Sequence, residues 1–127
     1  MRPANPIPYV ALGDLYLKKY EMEEAFAAYR AAIRVDPECY YAHLNAGIGL
    51  SSIDRLAEAL SELQEARRLN PSHSAAPYHL GVLLDRMGRY PEAVSELKQA
   101  VALAPDSKEA NSSLKAAYDH LGDSDLK

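Results

Sequence analysis

The sequence predicts an all-α fold assembled from repeated helical pairs. Three observations predict it. Pro37, Pro71 and Pro105 are spaced by 34 residues, and so are Gly13, Gly47 and Gly81, Ala25, Ala59 and Ala93, and Ala32, Ala66 and Ala100. Four columns with one period mark a repeated structural unit. Within a unit, apolar residues recur at steps of three and four, the spacing of one helix face. Each proline closes a unit, because it has no N–H to continue a helix and restricts the residue before it.

The period divides the chain into units at 6–39, 40–73 and 74–107, followed by a capping helix at 108–122 that begins a fourth unit. Residues 1–5 are expected to be a disordered or extended leader and 123–127 a frayed tail. In the first unit, Tyr9, Leu12, Tyr16 and Tyr20 share one face of the first helix. Met22, Ala25, Tyr29, Ala32 and Ile33 share one face of the second. Large residues on one helix meet small ones on the next, so the pair packs closely.

The second unit opens with "YYAHLNAGIGLSSIDRL", residues 40–56, which reads as helix. Two glycines there, Gly47 and Gly49, each carry a propensity penalty of about 0.5–1 kcal/mol against alanine. Gly47 belongs to the repeated column and is expected where the partner helix crosses. Gly49 stands in a column with Leu15, Leu83 and Ala117, so the repeat does not require it. Two readings stay open for it: a tight contact with an adjacent helix, or a softened helix that lets a ligand backbone come close.

The turn between paired helices favours a left-handed residue, usually glycine. Gly88 and Gly122 supply one, whereas Tyr20 and Asp54 occupy that column in the first two units. Tyrosine adopts the conformation poorly, so the turn at Tyr20 is expected to be strained or rearranged. In the last helix, Ala110, Leu114, Ala117, Tyr118 and Leu121 form an apolar face. Lys108, Glu109, Ser112, Lys115 and Asp119 cover the rest, as the end of a helical stack requires.

Composition narrows the function. The 127 residues carry a net charge of -4, which argues against a general nucleic-acid binder, since that needs surplus Lys and Arg. The single cysteine, Cys39, allows no intramolecular disulfide and fits a reducing, cytoplasmic setting. No apolar run reaches the length of a membrane span. The start "MRPANPIP" has no apolar core and does not read as a signal peptide. Tyrosine is over-used, nine against one Phe and no Trp, which suits surfaces packed on one side and wet on the other.

No catalytic set is found. The chain has His43, His73, His79 and His120 but no HExxH, no paired cysteines, no glycine-rich phosphate loop and no GxSxG. Cys39 and His43 are four apart, yet two ligands do not make a structural zinc site. Cys39 reads as a loop thiol and His43 as a packed residue. The expectation is a non-enzyme without cofactor or metal.

The columns resemble the tetratricopeptide repeat family. The first unit matches with Tyr9, Leu12-Gly13, Tyr16, Ala25, Tyr29, Ala32 and Pro37. The third matches with Leu80-Gly81, Leu84, Gly88, Ala93, Leu97, Ala100 and Pro105. The second is looser, with His43 in the aromatic column and Ala46 before Gly47. The resemblance runs from residue 6 to about 122. It implies a right-handed α-solenoid of three 34-residue helix-turn-helix repeats plus the C-terminal capping helix.

The resemblance also implies a concave groove, lined mainly by each unit's first helix, that binds a peptide or helical segment of a partner protein. Carried onto this sequence, the groove columns contain Val10, Asp14 and Lys18 in the first unit, and Tyr41, Leu44, Asn45 and Ile48 in the second. Tyr78, His79, Val82 and Arg86 follow in the third. Val10, Leu44 and Tyr78 share one column and Ile48 and Val82 another. With Ile7 and Tyr41 they are expected to form an apolar, partly aromatic strip of the kind that marks contact sites. Lys18, Arg86 and His120 form a basic column interrupted by Ser52.

A subfamily that grips carboxylate-ended chaperone tails uses Lys and Asn, then Asn, then Lys and Arg. Here those columns hold Val10, Asp14, Asn45, Ala75 and His79, so only Asn45 matches. The expected function is a protein-interaction scaffold working mainly through apolar and aromatic contacts, and not a chaperone-tail clamp. The alternatives are a self-assembling homo-oligomer, with the strip as its interface, or the regulatory part of a larger enzyme.

Overall fold

The computed structural model describes residues 4–125. Among these residues all regular structure is helical. The elements are α1 (Ile7–Lys18), α2 (Met22–Val35), α3 (Tyr40–Ser52), α4 (Leu56–Leu69), α5 (Ala75–Arg86), α6 (Tyr90–Leu103) and α7 (Lys108–Asp125). The chain divides into two compact units, Met1–Leu69 and Asn70–Lys127. In the first, α1 packs on α2, α3 on α4, and α2 also lies against α3. In the second, α5 packs on α6, and α7 lies against both.

The helices begin and end where local chemistry favours it. Glu23 and Glu24 sit in the first turn of α2 and Arg34 in its last, and Glu58 and Arg67 stand likewise in α4. Both arrangements complement the helix dipole. Arg55 pairs with Glu58 at 2.7 Å, and Arg89 with Glu92 at 2.6 Å, one repeat later. These pairs are exposed and contribute little on their own.

The three helix–helix turns are the same motif. Glu21, Arg55 and Arg89 donate backbone N–H bonds to the carbonyls of Tyr16, Leu50 and Leu84 at 3.0, 3.0 and 2.9 Å. Tyr20, Asp54 and Gly88 donate to Leu17, Ser51 and Asp85. This Schellman pattern puts the residue after the cap in the left-handed region. Tyr20, Asp54 and Gly88 sit there, with φ of 59°, 61° and 78°. The strain expected at Tyr20 is therefore present. Two expectations are corrected. The helix read over 40–56 stops at Ser52, because the Asp54 turn breaks it. Gly122 is not a turn residue: it lies inside α7, which runs unbroken to Asp125.

The glycine column is steric. A Cβ on Gly13 would lie 2.5 Å from Tyr29 Cε1, and one on Gly47 would lie 2.6 Å from Leu63 Cγ. Gly81 meets Leu97 in the same way. A β-carbon at Gly49 would stand 3.1 Å from both Leu17 Cδ1 and Phe26 Cε1. The first of its two readings is thus the structural one: α3 passes close to α1 and α2 there.

The core follows the small columns. Ala25, Ala32, Ala59 and Ala66 are fully buried in the first unit, with Tyr29 and Leu63 the large residues among them. Ala93, Ala100, Leu80, Leu83 and Leu97 do the same in the second. The apolar face read on α1 is only partly covered: Tyr16 is half-buried, and Tyr20 lies beyond the end of the helix and is exposed. Tyr9 and Leu12 are exposed, and Leu15 is 51% exposed. In α3 the matching columns hold His43, Ala46 and Gly49, all buried. There α2 lies against the helix, and no described helix precedes α1 to do the same. The expectations for residues 1–3 and 126–127 lie outside the described residues. Of the tail expected to fray, 123–125 are helical.

Candidate functional site

A cleft of about 650 Å³ opens in the first unit, lined by Asp14, Leu17, Lys18, Tyr20, Asn45 and Ile48. It is built by the last two turns of α1, the turn after it and the middle of α3. The step from Asp14 to Leu17 and Lys18 is one helix turn, as is the step from Asn45 to Ile48, so each helix turns two levels of side chain to the same place. Asp14, Lys18, Asn45 and Ile48 are all residues that the sequence selected.

Asp14 is the fixed point of this cleft. Its Oδ1 accepts a 2.5 Å bond from the Tyr29 hydroxyl on α2 and a 2.9 Å bond from Asn45 Nδ2 on α3. Three helices thus meet at one carboxylate oxygen. The Tyr29 hydroxyl is held well above the ordinary tyrosine range, first by burial and then by its bond to the Asp14 carboxylate. Asn45 is consequently committed to an internal bond as well as facing the cleft.

The expected apolar strip is only partly a surface. Val10 and Leu44 are 6% and 5% exposed and belong to the core. The expectation that they offer exposed contacts is corrected: on these helices the column points inward. Ile48 is half-buried in the cleft wall. Tyr41 and Ile7 are exposed, and Tyr41 meets the Tyr40 ring edge-on at 5.0 Å. Burial and the Tyr41 ring's neighbourhood push the Tyr40 hydroxyl up to about 12.

In the second unit, Tyr78 and His79 line a smaller cavity of about 220 Å³ with Ser74, Ala75, Ala104, Glu109 and neighbouring small residues. Their rings meet edge-on at 5.0 Å. Burial lowers the His79 pKa, so this histidine is neutral at pH 7. Val82 is half-buried and Arg86 exposed, and neither lines that cavity. His120 Nδ1 lies 2.9 Å from Asp85 Oδ1, and the Asp85 carboxylate raises its pKa. Its charge is already answered within the unit.

Two features were missed from sequence. Tyr20 lines the cleft and is 87% exposed, although it was read as a turn residue and as part of the apolar face of the first helix. His43, read as packed, is packed and also bonded: Nδ1 faces Glu62 Oε2 at 2.7 Å and Nε2 faces the Pro37 carbonyl at 2.8 Å. The signal for Tyr20 was its column, since a bulky residue kept where glycine is favoured invites a functional reading.

A tetratricopeptide repeat profile matches residues 54–124, more than half of the chain, and a second matches residues 8–39. The chain belongs to the tetratricopeptide repeat family. Tetratricopeptide domains of known structure share its fold. The first such domain of human RPAP3 is 21% identical, with 99% of each chain covered and a TM-score of 0.92. The first such domain of Spaghetti (RPAP3), bound to the HSP90 peptide SRMEEVD, is 21% identical over 96% of this chain and 97% of that one, with a TM-score of 0.90. The Arabidopsis OM64 domain is 19% identical over 91% and 95%, with a TM-score of 0.86. No curated protein sequence is significantly similar to the chain.

Tetratricopeptide repeats are an all-α solenoid class, and the helical pairs of both units fit it. Among the described residues, no helix is long and apolar enough to cross a membrane. No group of three or more His, Cys, Asp and Glu among them could hold a metal ion.

Proposed function

We propose that this tetratricopeptide protein is an interaction module that holds a segment of another protein against the first helices of its repeats, and that it has no catalytic activity of its own. The observation that carries this reading is the cleft over Asp14, Leu17, Lys18, Tyr20, Asn45 and Ile48. It combines apolar walls with a few oriented polar groups, the make-up of a recognition site. The Spaghetti domain, bound to the peptide SRMEEVD, is a precedent for this fold holding a peptide.

The reading excludes a chaperone-tail clamp. Where such a clamp needs cations and neutral amides, this chain has Val10 buried, Asp14 carrying a carboxylate, and His79 neutral. A terminal carboxylate would meet Asp14 with like charge. The test is titration of labelled SRMEEVD beside a panel of unrelated apolar and basic peptides, with Ile48→Glu as the blocked control. Binding of an apolar or basic peptide that Ile48→Glu abolishes supports the reading. Tight binding of SRMEEVD, weakened by blocking its terminal carboxylate, overturns the non-clamp part.

One observation favours self-assembly as a second reading. Ile7, Tyr9, Leu12 and Leu15 are exposed on α1. Tyr9, Leu12 and Leu15 share one side of that helix and none is charged, so two copies can pair across it without like-charge repulsion. Light scattering over a concentration series separates the two. A mass that rises with concentration and returns to the monomer in Leu12→Glu supports self-assembly, and a constant mass removes it.

A further inference from the structure

The cleft of the first unit has a polarity that its shape alone does not reveal. Its acid, Asp14, is half-buried at the meeting point of α1, α2 and α3. Two neutral donors, the Tyr29 hydroxyl and the Asn45 amide, both fall on Oδ1. They orient the carboxylate without neutralising it, and Oδ2 takes no hydrogen bond from a described residue. A carboxylate held in this way is a preorganised acceptor, and charged acceptors make the stronger hydrogen bonds.

Tyr20 also lines the cleft. Its backbone lies at φ 59°, a conformation that bulky side chains rarely adopt, and its ring is 87% exposed. The same column carries Asp54 and Gly88, which enter the left-handed region at less strain. An exposed ring contributes almost nothing to the core, so folding alone does not account for a tyrosine there. Strain kept at a site edge points to a contact that only the bound state makes. Leu17 and Ile48 supply apolar surface to the same cleft.

A carboxylate, an aromatic face and an aliphatic floor together describe one kind of occupant. The methylene stem of arginine or lysine packs on aliphatic surface while its head seeks an anion. The planar guanidinium also stacks on aromatic rings and donates several hydrogen bonds at once. We propose that this cleft captures a partner protein's segment by a basic side chain, arginine above all, with the head on Asp14 and its face against Tyr20. Lys18 also lines the cleft, so the segment carries an acidic neighbour beside the basic residue rather than a run of cations. The proposal rests on the groove-binding reading and sharpens it.

Selection of phage-displayed random dodecapeptides on the intact chain tests it, with Asp14→Asn, Tyr20→Gly and Ile48→Glu selected in parallel. Sequences enriched on the intact chain are expected to align on one Arg or Lys. A synthetic peptide from that set should bind Asp14→Asn about tenfold more weakly, the loss of one charge-assisted contact. The asparagine oxygen still accepts from Tyr29 and Asn45, so the fold is retained, and a melting curve checks this. Replacing the peptide's arginine by citrulline removes the charge without touching the protein and should weaken binding similarly. Tyr20→Gly should weaken binding while raising the melting temperature, a combination that a purely structural tyrosine would not give. Enriched sequences sensitive to Ile48→Glu but with an apolar or acidic consensus, or a citrulline peptide that binds equally well, would overturn the basic-residue proposal and leave the groove reading standing. Selection that yields no binder sensitive to Ile48→Glu overturns both.

Discussion

The Tyr29 hydroxyl on α2 donates a 2.5 Å hydrogen bond to Asp14 on α1, and the same oxygen accepts from Asn45 on α3. The first repeat is thereby tied to the first helix of the second at the wall of the cleft. Tyr29→Phe removes the donor and keeps the ring that fills the space beside Gly13. Stability should fall by about 1–2 kcal/mol, since a hydrogen bond to a charged group is lost while Asp14 keeps Asn45. Urea unfolding of the two proteins measures it. Because the Tyr29 pKa is raised in the fold, the unfolded chain loses this proton first. Stability should therefore decline as pH rises past about 10, and less so in Tyr29→Phe.

Gly47 admits no side chain while Leu63 stays in place. A Cβ there would lie 2.6 Å from Leu63 Cγ and 3.3 Å from the Leu63 backbone nitrogen. Gly47→Ala should destabilise the protein by about 1–3 kcal/mol, despite alanine's better helix propensity. Thermal melting followed by circular dichroism checks it. An increase in melting temperature would mean that the α3–α4 crossing relaxes freely.

Tyr20 and Gly88 occupy equivalent turns with opposite consequences. Tyr20→Gly relieves a left-handed tyrosine at φ 59° and should add about 1 kcal/mol. Gly88→Ala puts a β-carbon at φ 78°, where nothing lies within 4 Å, so it meets no steric clash but strains the backbone. It should remove about 1 kcal/mol. Chemical denaturation of both variants reads the two signs in one experiment.

His43 is buried between two acceptors, Glu62 Oε2 and the Pro37 carbonyl. A neutral imidazole donates through one nitrogen only, so both bonds are made by the imidazolium. The Glu62 carboxylate raises its pKa, against the smaller opposing effect of burial. With the folded pKa above the unfolded value of about 6.5, its contribution is complete below that value and is lost as pH rises through the folded pKa. NMR titration of His43 should give a midpoint above that of a free histidine. Glu62→Gln should bring the midpoint down and flatten the loss of stability over that range.

The repeat was legible because close helix packing imposes the same small residue once per unit, and the eye needs no coordinates to find Gly13, Gly47 and Gly81. The end of α3 was less so, since an aspartate at position 54 signals a turn more weakly than the glycine at 88 does. The Gly122 reading failed for a related reason. A glycine in the turn column shows that a turn is allowed, whereas the turn itself needs a second helix packing back.

The site divided along the same line. Asp14, Lys18, Asn45 and Ile48 were carried over from the register of the family's groove columns, as the resemblance implies, and meet in one cleft. Val10 and Leu44 satisfied the same register, yet they are core. Register gives a residue its direction from the helix axis, and only the neighbouring helices decide whether that direction ends in protein or in water.

By itself, then, the sequence determined the helical pairs, their period, the crossing glycines and the family, because each depends on residues at regular spacing along the chain. The tertiary structure alone decided which apolar residues are covered, that an exposed Tyr20 lines the same cleft as Asp14, and that Glu62 raises the His43 pKa. Those relations join residues from different helices, and their spacing in the chain carries no record of the distance between them.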